Sequence, residues 1–216
     1  WIIERAELNP IPKLQVDNYI NDLDFLMTND QDLLDKYPSK TKFVPFGGSW
    51  VKEENQKMYT KTKEISMIYS HKRGHLRGYD LRHKIADRYA DQIDLFGNGS
   101  KNPIRLKEEG LSDYLFSVVI ENVKKKNYFT EKIIDCFAVG AVPIYWGCPN
   151  IDNFFNPEGI LCFNSLEDFD NIIQTINNQK YDIMKAAVIE NHNIAKKYSI
   201  TEDWFYNNIL KEITNV

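Results

Sequence analysis

The run Tyr114-Leu-Phe-Ser-Val-Val-Ile120 limits what this chain can fold into more than any other segment. It is almost continuously apolar and too short to cross a bilayer, and it lacks the polar alternation of a half-exposed strand. Runs of this kind are strands buried on both faces, as in a parallel sheet covered by helices. Strand and helix signals alternate on either side of it. Glu64–Ser70, Ile93–Phe96, Ala141–Tyr145 and Ile160–Phe163 read as strands, and Tyr79–Gln92, Ile104–Asp113 and Thr130–Val139 as helices. In the last helix Ile133, Ile134, Phe137 and Ala138 share a face, and Gly140 supplies the stop. Ser165 opens another helix with an N-cap signature, and Tyr181–Lys197 and Thr201–Lys211 are helical. Upstream, Leu14–Leu23 and Asp30–Tyr37 read as helices, and Asp24–Thr28 and Lys42–Val44 as extended. The stretch from Pro45 to Lys63 carries Gly47-Gly48 and then Lys, Glu, Gln and Asn, which suits a linker. The pattern predicts a doubly wound α/β fold.

Composition narrows the function classes. Apolar residues make up 43% and charged residues 27%, ordinary values for a globular protein. A net charge of −4 argues against a nucleic-acid partner. No apolar run approaches the roughly 20 residues of a membrane span, and the start does not resemble a signal peptide. Cys136, Cys148 and Cys162 lack metal-site spacing and read as reduced thiols, so a cytoplasmic setting is expected. The opening Trp1-Ile2-Ile3 reads as the end of a strand, so further residues are expected upstream.

In an open parallel sheet, ligands bind beyond the carboxyl ends of the strands, beside the helix starts that follow. Strand 64–70 runs into a loop holding Ser70, Lys72, Arg73 and Arg77, a candidate phosphate loop, and Arg82 lies in the first turn of the next helix. Strand 114–120 ends at Glu121-Asn122, and its loop leads to Tyr128-Phe-Thr130-Glu131-Lys132. A helix start offers N–H groups and the positive end of a dipole to a phosphate, and Arg and Lys add charge-assisted bonds. Lys132 is the telling residue. A cation in a first helical turn is unfavourable by roughly 0.3–1 kcal/mol unless an anion is near. Lys124-Lys125-Lys126 reads as a solvated loop, and His71 and His75 lack a third partner, so no metal site is expected. By themselves these residues specify a phosphate-bearing ligand.

The run Phe116-Ser-Val-Val-Ile-Glu-Asn122, then Tyr128-Phe-Thr-Glu-Lys-Ile-Ile-Asp135, then Gly140-Ala-Val-Pro-Ile-Tyr-Trp-Gly147 resembles the signature of glycosyltransferase family 10, the α-1,3/1,4-fucosyltransferases, bacterial Lewis-antigen type in particular. The resemblance is close from about residue 64 to 175 and weaker over 1–50. It implies a GT-B-like fold, with a Rossmann-type C-terminal donor domain (64–198, followed by a helix at 199–216), a linker at 51–63, and an incomplete N-terminal acceptor-side domain in 1–50. It implies inverting transfer of fucose from GDP-fucose to an acceptor glycan without a metal. The same scaffold using another nucleotide sugar, or a non-catalytic nucleotide-sugar-binding remnant, is the alternative. Arg82 and Lys132 would contact the diphosphate and Glu131 the ribose. Tyr128, Thr130, Glu121 and Asn122 would complete the donor pocket. Glu4 would be the general base, with Glu7 the second choice. The membrane anchor and paired cysteines of animal Golgi members have no counterpart here, so the resemblance implies a microbial or viral cytoplasmic enzyme, with peripheral membrane association left open.

Overall fold

The computed structural model describes residues 11–211, the side chains of 11–14 excepted. The described residues open with α1 (Ile11–Tyr19), β1 (Leu26–Thr28), α2 (Gln31–Lys36) and β2 (Thr41–Phe43). The strands β1 and β2 pair in parallel, Leu26 opposite Thr41. Val16, Ile20, Leu26 and Leu33 form a small core beneath them. Asp30 starts α2 by accepting the N–H groups of Asp32 and Leu33, the bonds a helix start otherwise lacks.

The larger unit follows as β3 (Lys63–Ile68), α3 (Arg77–Arg88), β4 (Asp94–Phe96), β5 (Tyr114–Ile120), α4 (Glu131–Ala138), β6 (Val142–Trp146), β7 (Leu161–Cys162), α5 (Leu166–Ile173), α6 (Asn178–Ala195) and α7 (Thr201–Phe205). Its five strands are all parallel, in the order β4-β3-β5-β6-β7. The apolar run is thus the central strand, and all seven of its residues are buried. One face packs against α3, α5 and α6 through Phe116, Val118, Ile120, Ile85, Phe169 and Val188. The other packs against α4 through Val119, Ile133, Ile134 and Phe137. This is the α/β parallel sheet expected from the alternation.

Local sequence explains the element boundaries. Thr130 and Ser165 cap α4 and α5 with their hydroxyls, and Ser165 forms a capping box with Asp168. Gly140, at φ 73°, takes the left-handed conformation that ends α4. Two expectations need correction. The helix expected over 104–113 is reduced to one 3-10 turn, Lys107–Gly110, because Gly110 packs closely on Ile68 and Phe96 and the buried Glu108 accepts from Asn55 at 2.6 Å. The helix expected over 201–211 is α7 followed by a π-turn, Tyr206–Leu210.

Candidate functional site

The chain reverses its direction across the sheet after β4. Strand β3 continues outward to β4, and β5 lies on the other side of β3. The helices that follow, α3 and α4, therefore cover opposite faces, and a crevice opens between the carboxyl ends of β3 and β5. Ligands bind at such switch points. A cavity of about 530 Å³ fills this crevice, within the range of small-molecule sites.

The segments after β5 are locked together. Glu121 is fully buried and accepts from the Thr130 amide at 2.9 Å and the Thr130 hydroxyl at 2.8 Å. Lys132 Nζ lies 3.4 Å from Glu121 Oε2 and 3.1 Å from Glu131 Oε1, and it donates to Thr130 Oγ1 at 2.9 Å. The misplaced cation thus has two carboxylates beside it, and it still lines the cavity. Burial works to lower the Lys132 pKa, and Glu121 with Glu131 outweighs it, so the ammonium is held more firmly protonated than usual. Burial works to raise Glu131, and Lys132 and Lys107 outweigh it, so its carboxyl sits below the usual range.

Arg82 approaches from the other side. Its Nε donates to the Ile120 carbonyl at 3.0 Å and Nη2 to Asn122 Oδ1 at 2.9 Å, which fixes the guanidinium plane on the cavity wall. Burial lowers its pKa, with Glu121 pulling the other way. Position 78 lets α3 come this near. The Gly78 amide donates to Asn122 O at 3.0 Å, and a Cβ there would overlap the Glu121 carbonyl oxygen.

The structure brings together most of the residues expected from sequence. Arg82, Asn122, Tyr128, Thr130, Glu131, Lys132, Ser70 and Lys72 all line the cavity. Glu121 does not line it. It lies behind the wall, where a buried carboxylate needs the partners that Thr130 and Lys132 supply. Arg77 and Arg73 are also off the wall. Arg77 sits over the Trp146 ring, 5.6 Å from its centroid, and borders a smaller cavity of about 170 Å³, while Arg73 is exposed. Among the α4 start donors, the Thr130 and Lys132 amides are engaged by Glu121 and the Thr130 hydroxyl. An anion placed there would meet the Lys132 ammonium and the positive end of the helix dipole. Glu4 and Glu7 lie outside the described residues. Sequence reasoning overlooked Trp50, Lys107 and Asp135 on the same wall. A signal for Asp135 was present, since it lies four residues after Glu131 and so on the same helix face.

The arrangement can hold a phosphate-bearing ligand between two cations on neighbouring helices. A model of the family described as glycosyltransferase family 10 (fucosyltransferase), C-terminal part, matches residues 58–209. The chain belongs to this family. It is 40% identical over 73 residues to the alpha-(1,3)-fucosyltransferase FucT of Helicobacter pylori, covering 34% of this chain and 15% of that protein. It is 37% identical over 51 residues to an alpha-(1,4)-fucosyltransferase of Arabidopsis thaliana, covering 24% of this chain and 13% of that protein. Its fold matches a crystal structure of an alpha1,3-fucosyltransferase with GDP-fucose at a TM-score of 0.50 and 26% identity, over 61% of this chain and 39% of that one. The chain thus spans well under half the length of each of these relatives. The family-10 match covers every described cavity-lining residue named above except Trp50.

Proposed function

We propose that this chain carries the donor side and part of the acceptor side of an inverting fucosyltransferase, which moves fucose from GDP-fucose to a hydroxyl of an acceptor glycan. The observation that carries the reading is the pairing of Arg82 on α3 with Lys132 on α4 across the switch-point cavity, in a member of family 10. In this reading both cations hold the diphosphate. They stabilise its negative charge as the bond to the sugar breaks, where preorganised charge is most effective. Glu131, kept ionised by Lys132 and Lys107, accepts from the ribose hydroxyls. Glu121 keeps Thr130 and Lys132 in place from behind. A carboxylate from the acceptor side removes the acceptor hydroxyl proton as that oxygen attacks the sugar, a contribution of roughly 10²–10⁴ in rate. Glu4 is our proposed base, and Glu7 the second choice. The proposal places the acceptor side in 1–50 and the donor side in 64–198, in a cytoplasmic setting.

Isothermal titration with GDP, UDP and GDP-fucose tests the donor. GDP and GDP-fucose should bind more tightly than UDP, and equal affinity for all three sinks the fucosyl reading. Lys132→Ala should weaken GDP binding by about tenfold or more, the worth of one charge-assisted bond. GDP release from GDP-fucose with an N-acetyllactosamine-type acceptor tests transfer. Tight GDP binding without any release would favour a binding protein over an enzyme.

A further inference from the structure

Among the described residues, glycines apart, only Asn127 has a positive φ, 61°. That conformation is unfavourable for a residue with a Cβ, and Asn tolerates it better than most. The Tyr128 amide donates to the Lys125 carbonyl at 3.3 Å, which closes a turn with Asn127 in its third position. Glycine fills such a position with less strain. Backbone geometry alone therefore does not account for the asparagine. Residues held in sparsely populated conformations gather at functional sites, where the surrounding structure holds them.

The side chain supplies the reason. Asn127 is 6% exposed, its Nδ2 donates to Gln31 Oε1 at 2.7 Å, and its Oδ1 accepts from Asn150 Nδ2 at 2.8 Å. Its backbone amide donates to Asn150 Oδ1 at 2.9 Å. One buried side chain thus joins the start of α2 in the small β1–β2 unit, the loop after β5 and the loop after β6. The next residue is Tyr128, buried on the cavity wall with the Phe46 ring 5.8 Å away. Two residues beyond it, Thr130 caps α4. Asn127, Gln31 and Asn150 are themselves off the wall.

We propose that Asn127 is a positioning residue. Its amide bridge makes the place of α2 set the place of Tyr128, so a shift of the small unit changes ligand binding in the cavity. The coupling rests on the nucleotide reading above and adds a link from the acceptor-side unit to the donor site. The ion pair of Lys125 with Asp30 joins the same two units through a long flexible side chain, and it fastens them without fixing Tyr128.

The test compares the full chain with Asn127→Gly, Gln31→Ala, these two combined, and Lys125→Met. Asn127→Gly keeps the left-handed turn and deletes the bridge. GDP titration should show a loss of about tenfold in Asn127→Gly and a smaller loss in Gln31→Ala. The double variant should lose no more than Asn127→Gly alone, since both changes cut one bridge. Melting should run the other way, with Lys125→Met falling further than Asn127→Gly. A merely structural residue would lower affinity and melting temperature together. Amide exchange over 121–132 in the ligand-free protein should be faster by about threefold or more in Gln31→Ala, whose sequence there is unaltered. Unchanged GDP affinity in Asn127→Gly, additive losses in the double variant, or affinities that only follow melting temperature would overturn the role. Should Asn127→Gly fail to fold, Gln31→Ala decides by affinity and exchange. If wild type binds no nucleoside diphosphate, the donor reading falls and exchange alone decides whether α2 holds the loop. Unchanged exchange then removes the positioning role as well.

Discussion

Lys61 shows how burial makes a single side chain sensitive to pH. Its ammonium donates to the Ser112 carbonyl at 2.8 Å and the Val139 carbonyl at 2.7 Å, and burial lowers its pKa from 10.5 to about 8. Between about pH 8 and 10.5 the unfolded chain therefore holds this proton more firmly than the folded one, and stability rises with pH across that window. The gain is at most about 3 kcal/mol. In Lys61→Met that component disappears, so urea midpoints of wild type should climb relative to the variant between about pH 8 and 10. Parallel curves would show that the lysine titrates normally. Lys132 was easier to read. Its cation in a first helical turn already called for an anion, and Glu121 and Glu131 supply two before any ligand binds.

The contact between α3 and β5 is what places Arg82 on the cavity wall. It depends on Gly78, where the helix backbone meets the Glu121 and Asn122 carbonyls directly. Gly78→Ala should push α3 outward, cost about 1–3 kcal/mol as overpacking does, and weaken GDP binding as Arg82 loses its bond to Ile120. Thermal melting and GDP titration check both effects, and unchanged values would mean that α3 adjusts without cost. The major elements of the sheet were visible in sequence because period and composition are local properties. The segment 104–113 was misread as helix for the same reason. Its local pattern is helical, but contacts of Gly110 and Glu108 with distant residues restrict it to one turn.

The small β1–β2 unit is fastened to the loop that leads into α4. Lys125 pairs with the buried Asp30 at 2.7 Å, and Asn127 donates to Gln31 at 2.7 Å from a left-handed backbone, φ 61°. The Phe46 ring lies 5.8 Å from that of Tyr128. At the far end of the chain, Gly48 donates to Tyr198 O at 2.7 Å, and Phe43 meets Trp204 edge-on. Lys125 was expected to be solvated, and the structure corrects this. Lys125→Met should lower stability by about 2 kcal/mol, because the buried Asp30 carboxylate loses one of its partners. GDP affinity should change by less than about threefold, since Lys125 is not on the cavity wall. Urea unfolding and GDP titration of this variant beside Lys132→Ala separate fastening from binding, and comparable GDP losses would contradict the assignment.

The sequence alone determined the parallel α/β class and the burial of strand 114–120 on both faces, and it singled out Arg82 and Lys132 as candidate phosphate-binding cations. These follow from apolar period, helix-start chemistry and charge placed against a dipole, all confined to a few neighbouring residues. Only the tertiary structure decided that Glu121 lies behind the wall, that Arg77 faces another cavity, and that Asp135, Lys107 and Trp50 join the site. Those assignments bring together residues up to 85 positions apart, as in the Trp50–Asp135 bond, and no local pattern encodes such distances. They depend on how the sheet orders its strands and on which side chains the fold then brings to one wall.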